Sequence, residues 1–361
     1  MPVISRLRAR LAGDHGDRGA VALTVGLLLG SGVLLGMAAL VVDVGNLYAE
    51  RGQLQNGADA GALRVARTCA TEPATCSSPA VADVQGVADR YAEENANDGA
   101  AAATVCGRAG DLPECPPWED RLTDCAGPPP QSVSYVEVHT STRREDGSTV
   151  LPPIFAQAVV GGYRGAEVGA CSRVAWGPPM RATTVAMTIS SCDWQRGTGN
   201  GGAYAEAEQV IPVYDDRDPG RCTAPGGSTG GFRWLGDRAS GCRASVSVDV
   251  GYPIAPGNSG TPNDCEDALA RLYESRQPAL VPVFDEVDGN EGNAQYTAWG
   301  FAAFVVTGWH LPGSDQPSAT GTSCGGGRKF CVSGYFTQTI VPGGGAIGGP
   351  DLGARVVAPI G

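Results

Sequence analysis

The sequence predicts an α+β fold: an N-terminal transmembrane helix that continues into a helical stalk, then a small α+β unit, then a disulfide-rich β domain. Three observations predict it. An uncharged run of 24 residues extends from Gly19 to Val42, apolar residues follow it at helical spacing, and every cysteine lies C-terminal to it, in a chain whose far half consists of short β-branched segments. The predicted parts are a cytoplasmic leader (1–18), a transmembrane helix (19–42), a helical stalk (43–98), a small α+β domain (99–180) and a cysteine-rich β domain (181–361).

The uncharged run has the length of a membrane-spanning helix. At about 1.5 Å per residue it matches a hydrocarbon core of roughly 30 Å. A cleavable signal peptide, cut near Gly36-Met37-Ala38, is the competing interpretation, but its apolar core would be only about 7–15 residues long, which favours an uncleaved anchor. The arginines before the run place the N-terminus in the cytoplasm and the bulk of the chain outside: Arg6, Arg8, Arg10 and Arg18.

Small residues recur within this run. Ala22, Gly26 and Gly30 lie four residues apart, a spacing that lets two transmembrane helices approach closely. The pattern predicts helix–helix self-association, and the general frequency of glycine in membrane helices is the competing explanation.

The segment after the run has the pattern of an amphipathic helix that begins at Asp43. Its apolar stripe is Val44, Leu47, Leu54, Ala58, Ala62 and Val65. Four glycines in this segment each cost about 1 kcal/mol relative to alanine, so the helix must depend on close packing against another element. Arg51, Gln55 and Asp59 form a ladder on an adjoining stripe, which is either a solvated face or a contact surface.

Twelve cysteines, an even number on one side of the predicted membrane segment, indicate disulfides formed in an oxidising compartment. A metal site is the alternative, but the chain has no Cys-x-x-Cys pair and its three histidines are far apart. Spacing leaves the connectivity open; the local pairs it suggests are Cys324 with Cys331 and then Cys69 with Cys76. The cysteines are Cys69, Cys76, Cys106, Cys115, Cys125, Cys171, Cys192, Cys222, Cys242, Cys265, Cys324 and Cys331.

The pattern of the predicted outer part, residues 99–361, indicates short strands between Gly/Pro-rich loops. A second helix is expected after Pro79, a loop-rich boundary near residue 99, a short helix over 152–161 and another over 264–274. The predicted strands lie within residues 132–140, 166–177, 183–190, 244–252, 278–284, 296–309, 330–341 and 354–360, the last of them at a sheet edge.

Composition and motifs argue against nucleic-acid binding and against catalysis. With 26 Lys+Arg against 38 Asp+Glu, the net charge of −12 is the opposite of a phosphate-binding footprint. Ser259 in GNSGTP resembles a serine-protease nucleophile, but upstream only His139 is available as a base on the outer side of the predicted membrane segment, and its context is a poor match. The acidic segments 215–221 and 288–293 lack the spacing of a calcium loop. No enzyme activity, cofactor or metal site is predicted.

The N-terminal motifs carry a family resemblance. Arg18-Gly19, the Asp-Val-Gly that closes the apolar run at residues 43–45, Arg51, Leu54-Gln55, and Ala58-Asp59-Ala60 followed by Ala62-Leu63 together resemble the N-terminal module of TadE/TadG-like Flp pilus-assembly proteins. The motifs of the far half resemble the cysteine-containing extracellular regions of TadG-like proteins; they are SSCDW (190–194), RWLG (233–236), PVFDEVDG (282–289), GFAAFVVTGW (300–309) and CVSGYF (331–336).

The resemblance implies a non-enzymatic part in a tight-adherence pilus or secretion system at the cell envelope. Its implied partners are the membrane and other pilus-assembly proteins or pilin subunits, with Asp43, Arg51, Gln55 and Asp59 as the contact surface. Thr24 stands five residues after Gly19, where type IV pilins carry glutamate, so a permanently anchored assembly protein is expected rather than a fibre subunit. The alternative function is a surface adhesin or ligand-binding protein that shares the anchor but acts independently of pili.

Overall fold

The computed structural model describes residues 16–361 except 31, 145, 214–229, 237–238, 254–260, 289–293, 319, 322–329 and 342–344. Several predicted features lie outside the described residues: Ser259, the acidic segment 215–221, most of the segment 288–293, Cys222, Cys324 and the leader arginines Arg6, Arg8 and Arg10.

The helices are α1 (Gly16–Gly30), α2 (Val33–Thr71), α3 (Val81–Asn95), α4 (Ala156–Val159), α5 (Ser191–Thr198) and α6 (Asn263–Ser275), with a 3₁₀ turn at Pro73–Cys76. The strands are β1 (Ala101–Arg108), β2 (Ser134–Thr142), β3 (Val150–Leu151), β4 (Ala166–Glu167), β5 (Gly169–Gly177), β6 (Arg181–Val185), β7 (Met187–Ser190), β8 (Gln209–Pro212), β9 (Phe232–Trp234), β10 (Arg243–Ser247), β11 (Gly251–Pro253), β12 (Ala279–Asp288), β13 (Gln295–Leu311), β14 (Ser314–Gln316), β15 (Cys331–Thr337), β16 (Thr339–Ile340) and β17 (Ala354–Pro359).

The mixed α/β architecture expected from the sequence is confirmed, with N-terminal helices followed by two large sheets. The first sheet has the strand order β1-β2-β5-β17-β16, antiparallel except for the parallel pair β16 and β17. The helices α2 and α3 cover one face of this sheet, and their apolar side chains share a core with Val136, Val138, Val174 and Trp176.

The second sheet has the order β8-β15-β13-β12-β7-β9, and the long strand β13 also pairs with the short strands β11 and β14. Its core is the largest in the described part of the chain and is rich in aromatic side chains, including Phe232, Phe301, Phe304 and Phe336. The helix α6 packs its Leu269 into this core.

The last strand joins the two sheets into one packed body. Expected at an edge, β17 lies instead between β5 and β16. Successive side chains of a strand point to opposite faces. Val356 is accordingly buried in the large core, whereas Val357 packs with Trp176 in the core beneath the helices.

The uncharged run is not one helix. The predicted helix over 19–42 is divided between α1, which ends at Gly30, and α2, which begins at Val33, and Gly32 before α2 has a left-handed backbone with φ of 73°. Glycine adopts this conformation at no steric cost, whereas a continuous helix requires negative φ throughout. Within the described ranges, no helix has both the length and the apolarity needed to cross a membrane.

The disulfide prediction is confirmed for ten cysteines. The structure contains the pairs Cys69–Cys76, Cys106–Cys115, Cys125–Cys171 and Cys242–Cys265, and Cys192 and Cys331 are also disulfide-bonded. The local pairing of Cys69 with Cys76 is therefore correct. The suggested pairing of Cys324 with Cys331 involves a residue outside the described part.

Candidate functional site

The helix α2 is the element that connects the apolar N-terminal segment to the folded part of the chain. It runs without interruption from inside the uncharged run to Thr71, which confirms that the segment after Asp43 continues the apolar helix. Its buried face includes Leu54, Ala58, Ala62 and Val65 of the stripe predicted from helical spacing. The N-terminal end of the predicted stripe is wrong, because Leu47 is only half-buried and Val44 is 40% exposed, beyond the reach of the first sheet and α3.

Close packing at two glycines holds α2 against its neighbours. A Cβ atom at Gly57 would lie 3.0 Å from the Cα of Ala92 in α3, and one at Gly61 would lie 3.6 Å from Cγ1 of Val138 in β2. These contacts explain why the helix tolerates residues of poor helical propensity. Gly45 and Gly52 differ, because a Cβ at either position would meet nothing within 4 Å.

Buried polar side chains fix the helix against the first sheet. The Oγ1 atom of Thr142 donates a 2.7 Å hydrogen bond to Oε1 of Glu50, and that of Thr140 donates a 2.9 Å bond to the backbone carbonyl of Leu54. Both threonines project from β2 toward the helix, two residues apart. Because an unpaired buried polar group costs about 1–3 kcal/mol, these bonds favour one position of α2 along the strand.

Asp43 is buried against a loop more than a hundred residues further along the chain. Its Oδ1 accepts hydrogen bonds from the backbone N–H groups of Ile154 at 2.7 Å and Phe155 at 3.1 Å, and its Oδ2 accepts from Phe155 at 3.1 Å and from Ala156. The carboxylate thus satisfies backbone donors at the start of the short helix α4. It ties the end of the apolar segment to the folded exterior.

The predicted ladder of Arg51, Gln55 and Asp59 forms contacts within the chain. A guanidinium nitrogen of Arg51 donates to the carbonyl of Leu122 at 2.9 Å. The amide nitrogen of Gln55 donates to Oδ1 of Asp59 at 2.9 Å and to the carbonyl of Cys171 at 3.1 Å. Arg51 and Asp59 remain exposed, Gln55 is half-buried, and Asp43 does not join them. Their proposed role toward a partner protein stays a prediction.

The side of α2 opposite its buried face is open. Gly45, Tyr48, Gly52, Asn56 and Asp59 recur at intervals of three or four residues, and all five are exposed. Tyr48 is exposed over 73% of its surface. This open face of α2 combines small residues with one large aromatic side chain.

A buried charged cluster lies on the sheet face that the helices do not cover. Arg173 Nε donates to Oε1 of Glu137 at 2.7 Å, and Nε2 of His139 lies 2.9 Å from Oε2 of the same carboxylate. Arg173 Nη1 also donates to the carbonyl of Gly127 at 3.0 Å, so the cluster fixes the loop between β1 and β2. Burial alone would raise the pKa of Glu137, but the bonds from His139 and Arg173 outweigh it and hold that pKa below its ordinary value of 4.5.

The same cluster brings potential metal ligands together, but its chemistry does not suit a metal. Cys125, Glu137, His139 and Cys171 offer ligand atoms within 4.8 Å of one another. Metals and nucleophilic reactions use the thiolate, and the two sulfurs are bonded to each other in the Cys125–Cys171 disulfide. The arrangement is an ion pair beside a disulfide, and it fastens a loop.

Comparison with known proteins identifies the N-terminal segment. Residues 19–68 match the family model described as "Putative Flp pilus-assembly TadE/G-like" (Tad). The matched residues comprise most of α1 and nearly all of α2, and they include Asp43, Arg51, Gln55 and Asp59. No curated protein and no solved structure matches the chain.

We call residues 19–68 the Tad segment. Several residues that position it were not predicted from the sequence. Glu50, Thr140 and Thr142 gave no signal, because their partners lie 86 to 92 positions away.

The helix α5 was also missed, although Ser190 followed by Asp193 is the pattern of a helix N-terminus, and the Ser190 hydroxyl does accept a bond from the Asp193 N–H at 3.1 Å.

Proposed function

We propose that this chain is a non-enzymatic, membrane-anchored component of a Tad/Flp pilus-assembly or secretion system at the cell envelope. The observation that carries the proposal is the Tad match over residues 19–68, which indicates involvement in Flp pilus assembly in general. The proposed partners are other pilus-assembly proteins or pilin subunits, which would meet the open face of α2 and the exposed side chains of Arg51 and Asp59.

The proposed anchor is the apolar part of α1 and α2. Twelve large apolar side chains between Val21 and Val42 are between 36% and 70% exposed, an unfavourable arrangement in water and a favourable one in lipid. Residues 19–30 and 33–42 laid end to end would extend about 33 Å at 1.5 Å per residue, close to a hydrocarbon thickness of roughly 30 Å. The leader arginines favour a cytoplasmic N-terminus, with the disulfide-bonded remainder outside.

Complementation of a deletion strain tests the proposed function. Removing the gene from its host should abolish Flp pili, and the full chain should restore them. A variant with Tyr48→Ala, Arg51→Ala and Asp59→Ala should accumulate normally but fail to restore pili, because it alters only exposed side chains of α2. A matched control, Arg90→Ala with Glu94→Ala on the exposed side of α3, should restore them fully.

One result would contradict the proposed function, and a second would contradict only the proposed contact surface. Normal piliation in the deletion strain would remove the chain from pilus assembly and favour the adhesin alternative. Full restoration by the triple variant would leave the general function standing but would exclude this surface as the contact with partners.

A further inference from the structure

The loop of residues 152–160, which contains α4, exposes apolar side chains in one place. Ile154, Phe155 and Val160 are 52%, 49% and 53% exposed. The surrounding sequence from Gly147 to Tyr163 contains no charged residue. Exposed apolar side chains are unremarkable singly, but a contiguous group marks an interaction surface.

The position of this loop is fixed by the helix that carries the apolar segment. The Asp43 carboxylate accepts hydrogen bonds from three consecutive backbone N–H groups at residues 154–156. Ala156 and Val160 also line a groove of about 340 Å³ against α2, where the facing residues are Gly32, Gly36, Met37 and Leu40. The loop therefore lies beside the last turns of the uncharged run.

The chemistry of the surface specifies an apolar occupant. The residues that line the groove are all apolar or glycine. Asp43, the first charged residue after the run, is only 7% exposed, and both of its carboxylate oxygens accept hydrogen bonds from the loop instead of facing solvent. The neighbouring Val41, Val42 and Val44 are exposed as well, which makes the loop continuous with the proposed anchor.

We infer that residues 152–160 insert into the extracytoplasmic leaflet beside α2, with lipid acyl chains in the groove. Amphipathic elements at a membrane surface bury their apolar face about 5–10 Å into the boundary between headgroups and acyl chains. The inference rests on the proposed membrane anchor and adds a second point of attachment. Two attachment points joined by Asp43 would fix the orientation of the folded exterior relative to the membrane.

Depth-dependent quenching tests the inference on the full chain. The protein is reconstituted in phosphatidylcholine and phosphatidylglycerol vesicles with brominated acyl chains, and a fluorescent non-canonical amino acid replaces one residue at a time. Position 155 reports on the loop and position 37 on the anchor. Position 122 is the control for an exposed apolar side chain outside the membrane. Leu122 is 80% exposed, and its carbonyl accepts a hydrogen bond from Arg51. Arg51 lies about 12 Å further from the apolar run along the helix axis than Asp43 does.

We expect strong quenching at positions 37 and 155 and none above the aqueous background at position 122. In the Asp43→Ala variant, quenching at position 155 should fall while that at position 37 persists, because the loop loses its attachment. Quenching at position 37 without quenching at 155, or equal quenching at 155 and 122, would overturn the inference and leave the anchor intact. Absence of quenching at position 37 would overturn the anchor itself.

Discussion

At the scale of single residues, Asp43 attaches the end of the apolar segment to a distant loop of the exterior. One carboxylate satisfies three backbone donors of a distant loop. A hydrogen bond to a charged group contributes about 1.5–3 kcal/mol, but a loop freed from Asp43 regains hydrogen bonds to water, so the net loss is smaller than the sum of the separate bonds. The residue therefore has a structural role in addition to marking the end of the uncharged run.

The Asp43→Ala substitution should lower the free energy of unfolding by about 2–3 kcal/mol and free the loop that begins at residue 154. Amide hydrogen exchange of residues 154–156 in the detergent-solubilised protein measures the local effect, and denaturant unfolding measures the global one. Asp59→Ala is the matched control. Its carboxylate is exposed and accepts a bond from Gln55, so a change within about 0.5 kcal/mol is expected. Unaltered exchange at residues 154–156 in Asp43→Ala would contradict the assigned role.

Glu137 should make the free energy of unfolding depend on pH in the acidic range. Its folded-state pKa lies below the ordinary value, so its ion pair with Arg173 contributes stability above about pH 4.5, and that contribution is lost as the pH falls through the lowered pKa. Glu137→Gln should cost about 3–5 kcal/mol near neutral pH, because Arg173 stays charged and buried.

The same variant should lose less stability than the wild type over the acidic range below about pH 4.5, because it lacks the carboxylate whose protonation breaks the ion pair of the wild type. Denaturant midpoints measured across this range provide the test. Glu94→Gln removes a carboxylate whose side chain is 60% exposed and should leave both stability and its acid dependence nearly unchanged. If the stability of Glu137→Gln falls as steeply with acid as that of the wild type, other carboxylates cause the acid dependence.

At the scale of secondary-structure elements, the glycines of α2 divide into a packed and an open set. Gly57 and Gly61 face α3 and β2, whereas Gly45 and Gly52 face open space. Residue type alone did not distinguish the two sets, because both lie in the same helix at similar spacing. The difference depends on which face the first sheet and α3 cover.

Two substitutions five residues apart in α2 should have opposite effects. Gly57→Leu forces side-chain atoms against the backbone of Tyr91 and Ala92, and overpacking of this kind costs about 1–3 kcal/mol. Gly52→Ala meets no neighbour and should raise the free energy of unfolding by about 0.5–1 kcal/mol through higher helical propensity. Denaturant unfolding measures the change in the free energy of unfolding for both variants, and stabilisation by Gly57→Leu would contradict the packing described.

The strands show why local pattern was only partly informative. The alternating and β-branched segments that become β2, β5, β12 and β13 were predicted. β1 was missed because its sequence, AAATVCGR, begins with three alanines; its pairing with β2 over the whole of Ala101–Arg108 makes it a strand. Tertiary hydrogen bonding here overrides weak local propensity.

At the scale of the whole molecule, β17 couples the two cores. Val356 is fully buried in the large core, and its neighbour Val357 packs in the core beneath the helices. Arg355 on the same strand donates to the carbonyl of Ala70 in α2 at 2.8 Å. The C-terminal strand thus connects the Tad segment to the second sheet.

The Val356→Ala substitution should lower hydrogen-exchange protection in both sheets, with a cost of about 2 kcal/mol. Val332→Ala is the matched control, since Val332 is equally buried but lies in β15 of the second sheet. Its effect should remain in that sheet. Loss of protection confined to the second sheet in both variants would show that the cores unfold independently.

The sequence by itself determined the uncharged N-terminal run, the helix that continues from it, the buried apolar stripe from Leu54 to Val65 and the disulfide chemistry, because each follows from local spacing or composition. The proposed division into domains at residues 99 and 180 stays a prediction. Only the tertiary structure decided that α2 and α3 lie on the first sheet and that Asp43 holds the loop at residues 154–156. The tertiary structure also places β17 between β5 and β16. These contacts join residues that are far apart in sequence, and hydrogen-bond partners and packing faces at such separations leave no periodic trace in the chain.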